Sequence, residues 1–299
     1  MNRTPNQWAT APASGLALGY LSARLSEIKL LESDVRAEVP DSIHQMRTVV
    51  RKSRSTLAAY REELASLPTR QMSKDLKWLG RVLGEARDTE VVHHRLIRRL
   101  AELPATSRSA EMSTSIDTRL APAFATANAN VLRVLGSNRY ARLLESLARL
   151  SPPEQRSAPT TKQMKIACRR VMRSEIHKLR IAYDRAVVTP EGHCRDAALH
   201  EVRKCAKRLM HCAEAQRAIR PRRAPEVFAL AREISRALGE AHDSVICRDL
   251  LARWETNQRL PPSARDTYRR ITEREGQLYA EALQEFTRAI TRLEEYPHT

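Results

Sequence analysis

The chain is short of glycine and of aromatic side chains: 8 glycines, 3 tryptophans, 7 tyrosines and 3 phenylalanines among 299 residues. None of those glycines is followed by lysine, which excludes the phosphate-cradling Walker loop. Few aromatics means few platforms on which unpaired bases could stack, and no helix-turn-helix, zinc-finger or RRM signature is present. No stretch approaches the ~20 apolar residues needed to span a bilayer. The mildly apolar run from Ala9 to Leu21 has only Arg3 ahead of it and continues into an amphipathic helix, so it is not read as a signal peptide. Cys-x-x-Cys is absent. The five cysteines (Cys168, Cys194, Cys205, Cys212, Cys247) are odd in number and confined to the second half, which suits reduced thiols in a cytosol better than a disulfide framework or a zinc site.

What is abundant points to helices and to a polyanion. Alanine, leucine, arginine and glutamate dominate and β-branched runs are rare, so the expected fold is all-α. The length leaves room for two modest domains or a repeat of helical modules. The formal net charge is +17 and the pI about 10.3, a field that draws nucleic acid, anionic membrane or inorganic phosphate chains.

The stretch Asp41–Leu64 carries this charge in its most ordered form. It contains neither Gly nor Pro and reads as one helix. His44, Arg47, Arg51 and Arg54 recur at spacings of three, four and three. At ~100° per residue they occupy roughly a quarter of the circumference, a basic stripe. Met46, Val50, Leu57, Tyr60 and Leu64 form a separate apolar stripe, with Ser53 completing the spacing. Arginines in a row repel one another, so neighbouring acids or a polyanionic ligand must offset them.

In chain order, a frayed leader (1–14) precedes a helix capped by Ser14 and running to about Glu38, with Leu18, Leu21, Leu25, Ile28 and Leu31 on one face. Pro40 ends it, and Asp41 or Ser42 caps the basic helix. A third helix spans Met72 to Leu103, a fourth is broken near Pro122, and a fifth covers Asn138 to Leu150. The Pro- and Ser-rich segment 151–161 is the linker. Beyond it the plan repeats: a helix from Lys162 to Val188, then a turn at Thr189–Gly192, then a second basic helix. His44 matches His200, Arg47 matches Arg203, Arg51 matches Lys207 and Lys52 matches Arg208, all 156 residues apart. In the following helix Arg81, Gly84, Glu85 and Asp88 match Arg236, Gly239, Glu240 and Asp243, all 155 apart. A last helix, Ser263 to Leu293, precedes a tail (294–299). This order implies two pseudo-symmetric antiparallel helical bundles from an internal duplication, residues 15–150 and 162–293.

The repeated His-x-x-Arg-x-x-x-Arg-Lys helix, followed by Leu-Lys-x-Leu and Leu-Gly-x-x-Arg-Asp, resembles the CHAD domain, the conserved histidine α-helical domain, over roughly Gly15 to Leu293. The resemblance implies a helical module that binds inorganic polyphosphate along a basic surface, and for some members a place on polyphosphate granules. Carried over by position, it assigns His44, Arg47, Arg51, Lys52, Arg54, His200, Arg203, Lys207 and Arg208 to the basic helices, and Lys77, Arg81 and Arg236 to the second motif. The copies differ: Arg54 faces Met210, Arg87 faces His242 and Lys77 faces Arg232. The second half is therefore expected to bind less tightly, or with more dependence on pH.

The chemistry agrees with that implication. Polyphosphate offers about one charge per phosphate, and arginine's planar fork bonds two oxygens while remaining charged. Helical spacings of three and four set cations roughly 5–6 Å apart, a pitch an extended anion can follow. His44 and His200 are expected to strengthen binding below their reference pKa of about 6.5. Asp88 and Asp243 are read as carboxylates that orient arginines rather than as catalytic acids. Gly84 and Gly239, each costing about 1 kcal/mol in mid-helix, are read as places where a neighbouring helix approaches closely. His93–His94 and His211–Cys212 point about 100° apart as neighbours on a helix and make no compact metal site. The Glu-x-Glu-x-Lys strand of the triphosphate-tunnel enzymes that accompany the family is absent. The reading is a cytoplasmic, granule-associated, non-catalytic polyphosphate binder needing no cofactor or metal; the alternative is sequence-nonspecific nucleic-acid binding.

Overall fold

The computed structural model describes residues 12–65, 67–104, 110–150, 160–257 and 262–296. Those residues form nine helices and no strand: α1 (Ser14–Arg36), α2 (Ser42–Ala59), α3 (Thr69–Glu102), α4 (Ala110–Leu135), α5 (Asn138–Ala148), α6 (Thr161–Val188), α7 (His193–Ala215), α8 (Arg223–Asn257) and α9 (Pro262–Glu294).

Most boundaries follow from local chemistry. Ser137 caps α5 by accepting from the Tyr140 N–H. Thr160 and Gln163 form a capping box at α6, just inside the expected linker, whose residues 151–159 lie outside the described part, as do 1–11 of the expected leader. Three details differ from expectation. Ser14 is the first helical residue rather than the cap; buried Ala13 holds that place without a side-chain bond. The basic helix ends at Ala59, and Tyr60–Leu64 continue as turns that bury both Tyr60 and Leu64. Pro122 does not break α4. It sits on an exposed face, where the carbonyl that loses its helical donor can be hydrated.

Successive helices pack side by side: α1 on α2, α2 on α3, α3 on α4, and likewise α6 on α7, α7 on α8 and α8 on α9. The apolar stripe of α2 (Met46, Val50, Leu57) enters the main core with Leu76, Leu79 and Leu83 of α3. Val202, Ala206 and Leu209 of α7 do the same with Ile234 and Leu238 of α8.

Two seams join the halves. Along the first, α2 lies on α7. The Gln216 amide donates to the Tyr60 hydroxyl (3.1 Å), and Ser55 Oγ pairs with His211 Nδ1 (2.9 Å), each across 156 positions. Two contacts at one offset, five residues apart, require that the chain run in the same direction through both segments. The second seam is a separate core in which Leu96 and Leu100 of α3 and Ile116 of α4 meet Cys247 and Leu251 of α8 and Tyr268 and Ile271 of α9. A buried ion cluster strengthens it. Arg95 (5% exposed) reaches Glu275 of α9 (0% exposed) at 2.6 Å, Glu240 at 2.8 Å and Ser244 Oγ at 2.8 Å.

Candidate polyanion-binding site

Between the two seams, the basic stripes of α2 and α7 come together. The parallel pairing puts Arg51 and Lys207, and Arg47 and Arg203, within electrostatic reach across the seam. Arg51 is pushed down to about 10 by burial and then by Arg47 and Arg203. Lys207 is pushed down to about 6, by burial first and then by Arg51, Arg203 and Arg47. Burial also lowers Arg203, against the pull of Asp243 and Asp88. Four basic side chains thus share one small region whose counter-charges are two carboxylates. Arg51 still stays charged at neutral pH, whereas Lys207 in the free protein is largely neutral.

The walls are built from α3 and α8. Arg47 reaches Asp88 at 3.2 Å, with 30% of its side chain and 63% of the aspartate's exposed. Asp243 is raised by burial and held down by the charge of Arg203, the counterpart coupling in the second half. The mid-helix glycines make room for these arginines: a Cβ at Gly84 would stand 3.5 Å from Arg47 Nε, and one at Gly239 only 3.2 Å from Arg203 Nη2. The close approach is therefore made by an arginine side chain rather than by a helix backbone. Asp88 thus has an arginine of the neighbouring helix as its ion-pair partner.

His44 and His200 stand about one turn before Arg47 and Arg203 on their helices. His44 is lowered by burial and by Arg87, Arg51 and Arg47, all of the first half. His200 falls to about 4, through burial and then His242, whose ring centroid is 4.7 Å away. His200 is therefore uncharged at pH 6 in the free protein, and His44 holds its proton less well than an ordinary imidazole, which moves the expected strengthening to lower pH. Nδ1 of both histidines and Nε of Arg51, Arg87 and Arg203 are buried without a hydrogen-bond partner among the described residues. A buried donor left unsatisfied is costly, and these accumulate at one place.

Six of the twelve carried-over residues therefore converge: His44, Arg47, Arg51, His200, Arg203 and Lys207. The others are held elsewhere. Lys52 and Arg208 each sit one position past a ridge residue, ~100° further round the helix. Lys52 pairs with Glu214 at 2.7 Å, and Arg208 pairs with the buried Glu175. Arg54 lies over Gly80 and is lowered by burial alone. Lys77 is exposed on α3; Arg81, 73% exposed, is 3.9 Å from Glu85; Arg236 meets Glu285 of α9 at 2.9 Å. Two participants were visible only as differences between the copies. Arg87 neighbours His44 and pairs with Glu90 at 2.8 Å, and His242 stacks near His200. Their signal was the shared place one turn beyond each glycine.

No group of three or more potential metal ligands occurs among the described residues. His93 bonds Asp117 at 2.6 Å, and His211 is buried against Ser55. No described helix is long and apolar enough to cross a membrane.

An all-α chain in which two basic helices bring their cationic side chains to a shared seam defines the class by its architecture. The CHAD domain family model matches residues 19–252, and the chain belongs to that family. It is 31% identical over 281 residues to the uncharacterized proteins MT2285 and Rv2226 of two Mycobacterium tuberculosis strains. The alignment covers 92% of this chain and 52% of each relative, so the chain spans about half the length of the curated relatives it matches. Its fold is similar to that of PptA from Streptomyces chartreusis, with TM-score 0.73, 18% identity, and 94% of this chain and 99% of that one covered. The CHAD domain from the plant Ricinus communis is also similar, with TM-score 0.68, 21% identity, and 100% and 98% covered.

Proposed function

We propose that the protein binds inorganic polyphosphate without turning it over, and that the α2–α7 cluster is where the chain is gripped. The observation that carries this reading is the meeting of Arg47, Arg51, Arg203 and Lys207, whose nearby acids are Asp88 and Asp243 and whose buried donors include unsatisfied Nε atoms. Such a cluster repels itself when empty and is relieved by an anion that brings several negative oxygens at once. The implication carried by the CHAD motifs points to the same ligand.

The same reading takes the two ridges as copies of one duplicated helix pair. It is supported by the matching Arg47–Gly84–Asp88 and Arg203–Gly239–Asp243 arrangements. Location in the cytoplasm, on polyphosphate granules, belongs to this proposal.

Retention on immobilised long-chain polyphosphate, competed with RNA and with duplex DNA at physiological salt, tests it. Polyphosphate is expected to displace both nucleic acids and not the reverse, with affinity falling steeply as salt rises. Charge reversal at Arg47, Arg51 and Arg54 together is expected to abolish retention with helix content intact. Normal retention would place the ligand on another face, and release of orthophosphate with a divalent metal present would overturn the non-catalytic part.

A further inference from the structure

A second cationic region has no part in that reading. A cavity of about 810 Å³ opens where the end of α2 and the start of α3 face α6, with Arg61, Arg70, Lys74, Arg170, Lys178 and Arg208 in its wall. Three of these are fixed by acids set beneath them. Glu175, 0% exposed, holds both Lys178 and Arg208, and Glu63, 4% exposed, holds Arg170. Arg61, Arg70 and Lys74 make no ion pair among the described residues; the remaining acid in the wall is Glu62. The first turn of α3 opens here with neither an acidic residue nor a side-chain cap, although the Thr69 N–H donates to the Leu67 carbonyl at 2.7 Å.

Comparison with the other half shows how the cavity arose. At the offset of 156, Arg208 matches Lys52 and Ala58 matches Glu214. In the α7 corner Glu214 accepts from Lys52 at 2.7 Å and lies 3.7 Å from Arg24, so that corner is neutralised from within. In the α2 corner the carboxylate is replaced by Ala58, which lines open space. The volume falls in the range of small-ligand sites, about 300–1,000 Å³. The apolar part of the wall is Leu57, Ala58, Ala59 and Val171, with no aromatic ring on which a base could stack.

We propose that this cavity is a second anion site, separate from the α2–α7 cluster, that takes a compact free oligophosphate. Arginines and lysines of α3, α6 and α7, with Arg61 beyond the end of α2, converge on a volume suited to a few linked phosphates, and nothing in the wall recognises a nucleoside.

The test uses the full chain, isothermal titration with inorganic tripolyphosphate, and a background in which the seam cluster is disabled by Arg51→Ala with Lys207→Ala. One tripolyphosphate site is expected to remain in that background. Adding Arg70→Ala and Lys74→Ala, both exposed and unpaired, is expected to weaken it about tenfold or more. Adding Arg61→Ala instead, at the other wall, is expected to act in the same direction. The proposal is overturned if no site remains in a background protein of normal helix content, if these additions leave the residual affinity unchanged, or if ATP binds as tightly as tripolyphosphate. Long-chain retention unaffected by Arg51→Ala and Lys207→Ala would defeat the seam reading and leave this one standing.

Discussion

Arg95 and the α2–α7 cluster place the same chemistry in opposite circumstances. Burial works against the Arg95 charge, but Glu275 and Glu240 more than reverse it, and the net shift is upward. In the cluster, burial also works against Arg51 and Lys207, and their nearest charges push the same way, so the net shift is downward. One arginine is bonded to four acceptor atoms of three residues and fastens α3 to α8 and α9; the basic groups of the cluster are held together with too few acids. Count of partners, not residue type, separates a cation satisfied within the fold from one left short of acids.

The sharpest way to break this contrast is to remove one acid from the structural side. Glu275→Ala strands Arg95 in the second core, and loss of one member of a buried pair costs about 3–5 kcal/mol. Urea unfolding should show that loss, and polyphosphate affinity measured where the protein remains folded should be unchanged. Replacing both partners, Arg95→Met with Glu275→Leu, should recover most of the stability.

The opposite pattern is expected in the cluster. Arg51→Ala with Lys207→Ala removes two charge-assisted contacts to the ligand, each about 1.5–3 kcal/mol, so long-chain retention should fall on the order of 100-fold. Stability should hold or rise, because the substitution relieves repulsion. A variant that loses stability and keeps its affinity would make the cluster structural.

How far the sequence disclosed this contrast depends on what each interaction needs. The helices and the two ridges were legible because both are local periodicities: His44, Arg47 and Arg51 fall on one face whatever surrounds them. That Lys52 and Arg208 diverge was equally legible from the ~100° step, but position in the motif outweighed it. Arg95 was not legible. Its partners Glu240 and Glu275 lie 145 and 180 residues away, on helices whose packing no local pattern specifies. Nor was the meeting of the ridges, which depends on a parallel α2–α7 seam whose cross-links join residues 156 positions apart.

A smaller effect follows from Lys207, whose pKa is about 6 in the free protein against an ordinary 10.5. A phosphate chain laid beside it favours the ammonium form and raises that value, so binding takes up a proton above pH 6. Affinity should therefore rise as pH falls from about 8 towards 6, levelling below the free-state pKa, with uptake read from titration heats in buffers of different ionisation enthalpy. In the ligand-free protein the unfolded state binds more protons between about 6 and 10.5, so this group makes stability rise with pH across that window. Lys207→Met should flatten both slopes. Unchanged slopes would mean that the amine is charged throughout.

The finest distinction lies between Gly84 and Gly239, which play one part with different clearances. Alanine in a helix interior gains about 1 kcal/mol over glycine. At Gly84 the new Cβ would meet Arg47 Nε and Nη2 at 3.5 Å, an ordinary contact, so Gly84→Ala should raise stability by about that amount and leave affinity nearly unchanged. At Gly239 it would stand 3.2 Å from Arg203 Nη2 and 3.4 Å from Nε, so the guanidinium must give by a few tenths of an ångström. Arg203 is partly buried against Asp243 and cannot swing freely into water, so part of the helix gain is spent on that shift. Gly239→Ala should therefore stabilise less than Gly84→Ala and weaken long-chain retention by about two- to fivefold, through a guanidinium moved off its line. Equal effects at the two glycines, in both stability and retention, would mean that Arg203 is free to adjust and that the ridges tolerate slack the geometry does not provide.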